Sequence, residues 1–159
     1  MPVRGPVVGD AGAVNRLPFI LRDQREELRR RWHDALPGRV SDEYAELLAS
    51  PVGDRLLRGL VEQLVAVSQA EEYEVSGLRR RYESDFREEV EHRLALGFTA
   101  RDLAGGVQAV RLAVLDVLGD AVVGGELPPP GETLVELRAL DDFLDGLVGA
   151  VLDAAAPGS

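Results

Sequence analysis

Cysteine is absent from this chain. That excludes a disulfide framework, a zinc–cysteine site, an iron–sulfur cluster and a thiol nucleophile. Lysine is absent as well: all 18 basic residues are arginine, and a single isoleucine stands among abundant Ala, Val, Leu and Gly. This is the bias a GC-rich coding sequence imposes. There are only two histidines, His33 and His92, so any imidazole chemistry must use one or both. No run of 18 apolar residues occurs, and none is expected to cross a membrane. The opening MPVRGPVVGDAGAV has no continuous apolar stretch, so no signal peptide is expected and a cytoplasmic location is.

What remains is ordinary globular material. The 159 residues, 45% hydrophobic, suit one domain with a sizeable core. The 28 acidic and 18 basic residues leave a net charge of -10, which disfavours binding to a phosphate backbone. The acidity is uneven: residues 126–159 carry seven carboxylates against one arginine.

Periodicity predicts an all-α fold of about six helices spanning residues 15–155, with loose tails at 1–14 and 156–159. A first helix over Asn15–Leu36 aligns Leu17, Leu21, Leu28, Trp32 and Leu36, and Pro37-Gly38 stops it. Ser41 caps a short second helix. Ser50-Pro51 opens a third, a serine cap followed by proline at the first helical position. The fourth has the cleanest stripe, Leu78, Tyr82, Phe86, Val90 and Leu94, which predicts full burial of Phe86. Gly97 ends it as a left-handed C-cap residue. Thr99, with Asp102 three residues on, caps a fifth helix that is apolar around much of its circumference and so central. Gly105-Gly106 within it predicts a close helix–helix approach. A sixth helix, about Thr133–Ala155, follows a Gly- and Pro-rich loop.

No motif assembles a catalytic site. There is no Ser-His-Asp order, no phosphate-binding Gly loop and no HExxH, so the chain is read as no enzyme. Glu89-Val90-Glu91-His92 matches one Glu-x-x-His element of di-iron bundles, but His33 has Arg30 at that offset, so no metal site is expected. Arg29-Arg30-Arg31 and Arg79-Arg80-Arg81 fan around their helices, since neighbours differ by about 100°. Glu26, Glu27, Glu83 and Asp85 are in reach for helix-surface ion pairs. Trp32, Tyr82 and Phe86 are core residues or the wall of a small apolar pocket. Asp141, Asp142 and Asp145 form an acidic face suited to a partner.

Trp32, the pairs Leu47-Leu48 and Leu56-Leu57, and above all Arg93-x-x-x-Gly97-Phe98-Thr99 followed by Leu103, Arg111 and Val114-Leu115, carry a resemblance. Over roughly residues 15–150 the chain resembles the N-terminal helical domain of RsbR/RsbRD-type stressosome co-antagonists. It departs from that pattern at Gly106-Val107 and Val110, and these 159 residues include no anti-sigma-antagonist-like output domain. The resemblance implies a single globin-like bundle without haem, acting as a bacterial signalling and stress-response sensor, with no cofactor. In haem-binding sensor globins, shaped like this family, the proximal histidine stands four residues before the corresponding glycine. Here that position is Arg93, and His92 is turned away from it by about 100°.

The expected function is regulation through protein–protein interaction, with a homodimer, a signalling protein partner and a small ligand near Trp32, Tyr82 and Phe86. A haem-binding gas sensor is the alternative.

Overall fold

The computed structural model describes residues 16–125 and 130–156. Among them the chain is all-α, with seven helices: α1 Arg16–Asp23, α2 Arg25–Ala35, α3 Asp42–Ala49, α4 Pro51–Gln69, α5 Glu72–Ala95, α6 Ala100–Val123 and α7 Pro130–Ala155. The expected tail at 1–14 lies outside the described residues, as does the tail at 156–159 except for Ala156. None of these helices is long and apolar enough to cross a membrane.

The helix ends follow local chemistry. Ser41 Oγ accepts from the Tyr44 backbone N–H, and Ser50 Oγ accepts from that of Val52 with Pro51 at the first turn. Thr99 and Asp102 form a reciprocal capping box at the start of α6. Gly97 stands at φ +102°, where a side chain would clash with its own backbone. The Gly97 N–H donates to Leu94 O and the Phe98 N–H to Arg93 O. These two bonds make a Schellman turn that satisfies the last carbonyls of α5 and throws Phe98 back toward the bundle.

α6 is the central element, as its composition predicts. Leu103, Ala109, Val110, Ala113, Val114, Val117, Leu118 and Ala121 are all buried, and the helix packs on α1, α2 and α7. The Gly105-Gly106 step admits the α2–α3 corner. A Cβ built on Gly105 would stand 2.2 Å from the Arg39 carbonyl oxygen, and one on Gly106 would stand 3.3 Å from the Tyr44 ring. α5 lies on the periphery, packed on α4 and α7.

Two expectations are corrected. The single helix over Asn15–Leu36 is broken at Gln24, whose ψ of 24° swings the chain out of helical geometry. The hydrogen bonds from Gln24 N–H to Ile20 O and from Leu28 N–H to Gln24 O continue across the break, so it is a kink and not a loop. It also separates two faces that must meet different neighbours, α1 on α4 and α2 on α6. The second correction is Phe86, which is only partly buried, as are Leu78, Tyr82 and Leu94; Val90 alone of the stripe is fully covered. α5 rests against the bundle edge, and most of its stripe walls a cavity in place of filling the core.

Candidate functional site

The cavity lies between α2, α3, α4, α5, α6 and α7 and measures about 60 Å³. Trp32 comes from α2, Tyr44 and Leu48 from α3, Leu57 and Leu60 from α4, Phe86, Val90 and Arg93 from α5, Gly106 and Val110 from α6, and Leu144 from α7. The expected trio Trp32, Tyr82 and Phe86 is therefore brought together, at opposite walls. Trp32 is buried, and its Nε1–H donates to Gly106 O at 3.0 Å. That carbonyl is reachable because its residue has no side chain. Tyr82 stacks on Phe86 with ring centroids 6.4 Å apart and meets Phe143 of α7 at 5.6 Å. Burial pushes the Tyr82 hydroxyl well above its ordinary pKa. Both rings are partly exposed, so they mark the mouth.

The polar end of the cavity was not legible as a site from local pattern. Arg93 is 5% exposed. Its Nη2 donates to Glu89 Oε2 at 2.9 Å one helical turn earlier, and that glutamate side chain is 51% exposed. Facing Arg93 is Tyr44, whose ring packs on Phe98 at 5.1 Å, the residue delivered by the Schellman turn. Burial pushes the Tyr44 hydroxyl up to about 12, while the Arg93 guanidinium beside it pulls the other way. A signal for Arg93 did exist: it stands seven residues after Phe86 and three after Val90, on the stripe's own face.

His92 is exposed on the outer side of α5, one step from Arg93. His33 is half-buried elsewhere, its ring nitrogen 3.1 Å from Leu48 O. Among the described residues, no three His, Asp or Glu side chains converge in a way that could hold a metal ion.

Behind Tyr44 sits a second polar feature. Asp102 is buried, and its Oδ1 accepts the Ser41 N–H at 2.7 Å while Oδ2 takes the Ser41 hydroxyl at 3.2 Å and the Thr99 N–H at 3.4 Å. One carboxylate thus serves the N-termini of α3 and α6.

The three aspartates of α7 divide. Asp141 and Asp145, one turn apart, both pair with Arg111 of α6; the Asp141 contact is 3.1 Å. Asp142 points elsewhere, is exposed and has no ion pair among the described residues. The arginine runs divide too. Arg29 pairs with Glu26, and Arg30 and Arg31 with Glu27, as expected, and Arg31 reaches Asp120 of α6 as well. Arg79, Arg80 and Arg81 make no ion pair with Glu83 or Asp85 among the described residues.

A wider cleft of about 460 Å³ runs between α1, α4, α5 and α7. Its floor is Leu17, Leu21, Leu140 and Phe143. The Gln63 amide and Ser68 hydroxyl on its rim are spent on the Leu78 and Val65 carbonyls. Arg79, Glu72 and Glu136 also line it, around an apolar floor.

No protein-family model, no curated protein and no solved structure matches this chain.

Proposed function

We propose that the chain is a non-enzymatic, cytoplasmic signalling domain of the non-haem globin-like kind, akin to the sensor domains of stressosome co-antagonists. It acts by binding a protein partner, and its interior cavity is the sensing element. The observation that carries this reading is an exposed apolar stripe on α6 and α7. Leu112, Leu115 and Val122 are spaced three and seven apart on one face of α6 and stand in solvent, with Leu115 50% and Val122 60% exposed. On the neighbouring α7, Leu134 and Leu152 are both exposed and lie on one face, since eighteen residues make about five full turns. Exposed apolar side chains lined up on two neighbouring helices suit an interface.

The stripe suits a second copy of the chain, because a two-fold axis lets one patch cover itself. Light scattering at tens of micromolar tests this. A dimeric mass that falls to a monomer in Leu115→Arg supports the reading, and a strictly monomeric wild type sinks it. Haem added to the purified chain tests the competing gas-sensor reading: a stoichiometric Soret-shifted complex lost in His92→Ala would replace our proposal.

A further inference from the structure

The cavity's polar end is unbalanced: it has donors and few acceptors. Arg93 carries five N–H donors; the bond to Glu89 uses a single Nη and the adjacent Tyr44 oxygen takes another. The Tyr44 hydroxyl stays protonated through the neutral range. The nearby acceptors are committed. Asp102 spends its oxygens on Ser41 and Thr99, Gly106 O takes the Trp32 indole, and half of the Glu89 side chain lies in water, which screens its charge. A buried cation with spare donors calls for an acceptor from outside the chain.

Size narrows the choice. At about 10–15 Å³ for each water-sized sphere, the cavity of about 60 Å³ takes about four to six non-hydrogen atoms. A cavity of about 150 Å³ is what six-atom benzene occupies, so the low end of that range, a ligand the size of acetate, fits, and a longer acyl chain or a macrocycle is excluded without rearrangement. The walls beyond Arg93 and Tyr44 are aliphatic and aromatic: Leu57, Leu60, Val90, Val110 and Leu144.

We propose that this cavity binds a short-chain monocarboxylate the size of acetate, its carboxylate on the Arg93 guanidinium and the Tyr44 hydroxyl and its methyl group against Leu57, Val90 and Val110. The proposal rests on the reading of the cavity as a sensing element. The ligand enters past the partly exposed Tyr82 and Phe86 rings, and the carboxylate shares Arg93 with Glu89, which is free to turn outward into water.

Trp32 is the only tryptophan and lies on the cavity wall, so its emission reports occupancy directly. The full chain is titrated with acetate, octanoate and the neutral isostere acetamide, with potassium chloride matching ionic strength. Acetate should saturate. Acetamide should bind about tenfold more weakly or worse, as expected when a charge-assisted pair is lost, and octanoate should fail on size. Arg93→Gln should weaken acetate by a similar factor. Tyr44→Phe, which keeps the ring packing on Phe98, supplies the test if the arginine variant does not fold. Equal binding of acetate and acetamide overturns the proposal, and so does the absence of saturation by acetate. Light scattering on the same samples separates the two claims: a dimer that ignores every acid leaves the interaction domain standing and removes the ligand.

Discussion

Asp102→Ala should be among the costliest single changes in this protein outside the apolar core. The carboxylate holds two helix N-termini at once, and its loss strands donors in both. The Ser41 N–H, 2.7 Å from Oδ1, sits in a half-buried corner where water cannot fully replace the carboxylate. A hydrogen bond to a charged group there contributes about 1.5–3 kcal/mol. The Thr99 N–H is longer at 3.4 Å and its residue is exposed, so water recovers most of that bond. Removing a carboxylate from the first turn of α6 also forfeits its interaction with the helix dipole, about 0.3–1 kcal/mol. The sum is about 2–4 kcal/mol.

Asp102→Asn keeps one carbonyl acceptor and should cost about half as much. Ser41→Ala removes a side-chain cap and leaves the backbone N–H in place, so about 1 kcal/mol is expected. Urea unfolding followed by far-UV circular dichroism measures all three. In the double variant Ser41→Ala/Asp102→Ala the costs should fall short of additivity, because both remove the same hydroxyl–carboxylate bond. A cost for Asp102→Ala within roughly 0.5 kcal/mol, the range of an ordinary surface change, would refute the claim that this carboxylate joins α3 to α6.

Three further outcomes test the packing and the charges. Phe86→Ala should cost about 1–3 kcal/mol, below the roughly 3–5 kcal/mol of a fully buried phenylalanine, because its ring is only partly buried; a larger loss by urea titration would mean the cavity mouth is closed in solution. Gly105→Ala gains about 1 kcal/mol of helix propensity, yet its Cβ would stand 2.2 Å from the Arg39 carbonyl oxygen, so a net loss in melting temperature is expected and a gain would contradict the close approach. Hydrogen bonds from Arg30 and then Arg31 hold the Glu27 carboxyl down from its ordinary 4.5 to about 2. A depressed folded-state value stabilises above the unfolded one, so the stability difference between wild type and Glu27→Gln should be full above about pH 4.5 and fade as pH falls toward about 2; a difference unchanged across that window would show that the ion pairs do not matter to folding.

The helices were legible because their ends are local chemistry. Ser41, Ser50-Pro51, Gly97 and the Thr99–Asp102 pair each act within a few residues of themselves, and each does in the structure what its sequence position predicts. Gly105-Gly106 was legible for a related reason, since two adjacent missing side chains on an apolar helix have few uses other than contact. The kink at Gln24 was hidden because the step from Leu21 to Leu28 is seven residues, and a bend between them leaves the stripe in register. Phe86 was overestimated because periodicity gives a face and not the depth to which that face is covered. The polar contacts around the cavity were illegible for a third reason. They join residues far apart in sequence, Ser41 with Asp102 and Trp32 with Gly106, and no spacing rule connects them.

The same distinction separates the charges that hold the fold from those left for a partner. Asp141 and Asp145 are one turn apart, so both reach the same arginine of the facing helix, and Arg111 thereby ties α6 to α7 along the seam beside the exposed Leu115 and Leu112. Asp142, about 100° round the helix, is the member of the acidic trio left without an ion pair among the described residues. Charge on the rim of an apolar interface sets association rate and specificity more than affinity. Reversing all three aspartates would therefore break the α6–α7 seam and alter the rim together. Asp142 alone probes the rim, and Arg111 alone probes the seam. The stripe and the clasp share a surface, so a dimer formed through Leu115 would bury the Arg111 pairs further, raising their attraction as water is excluded and adding the cost of desolvating them.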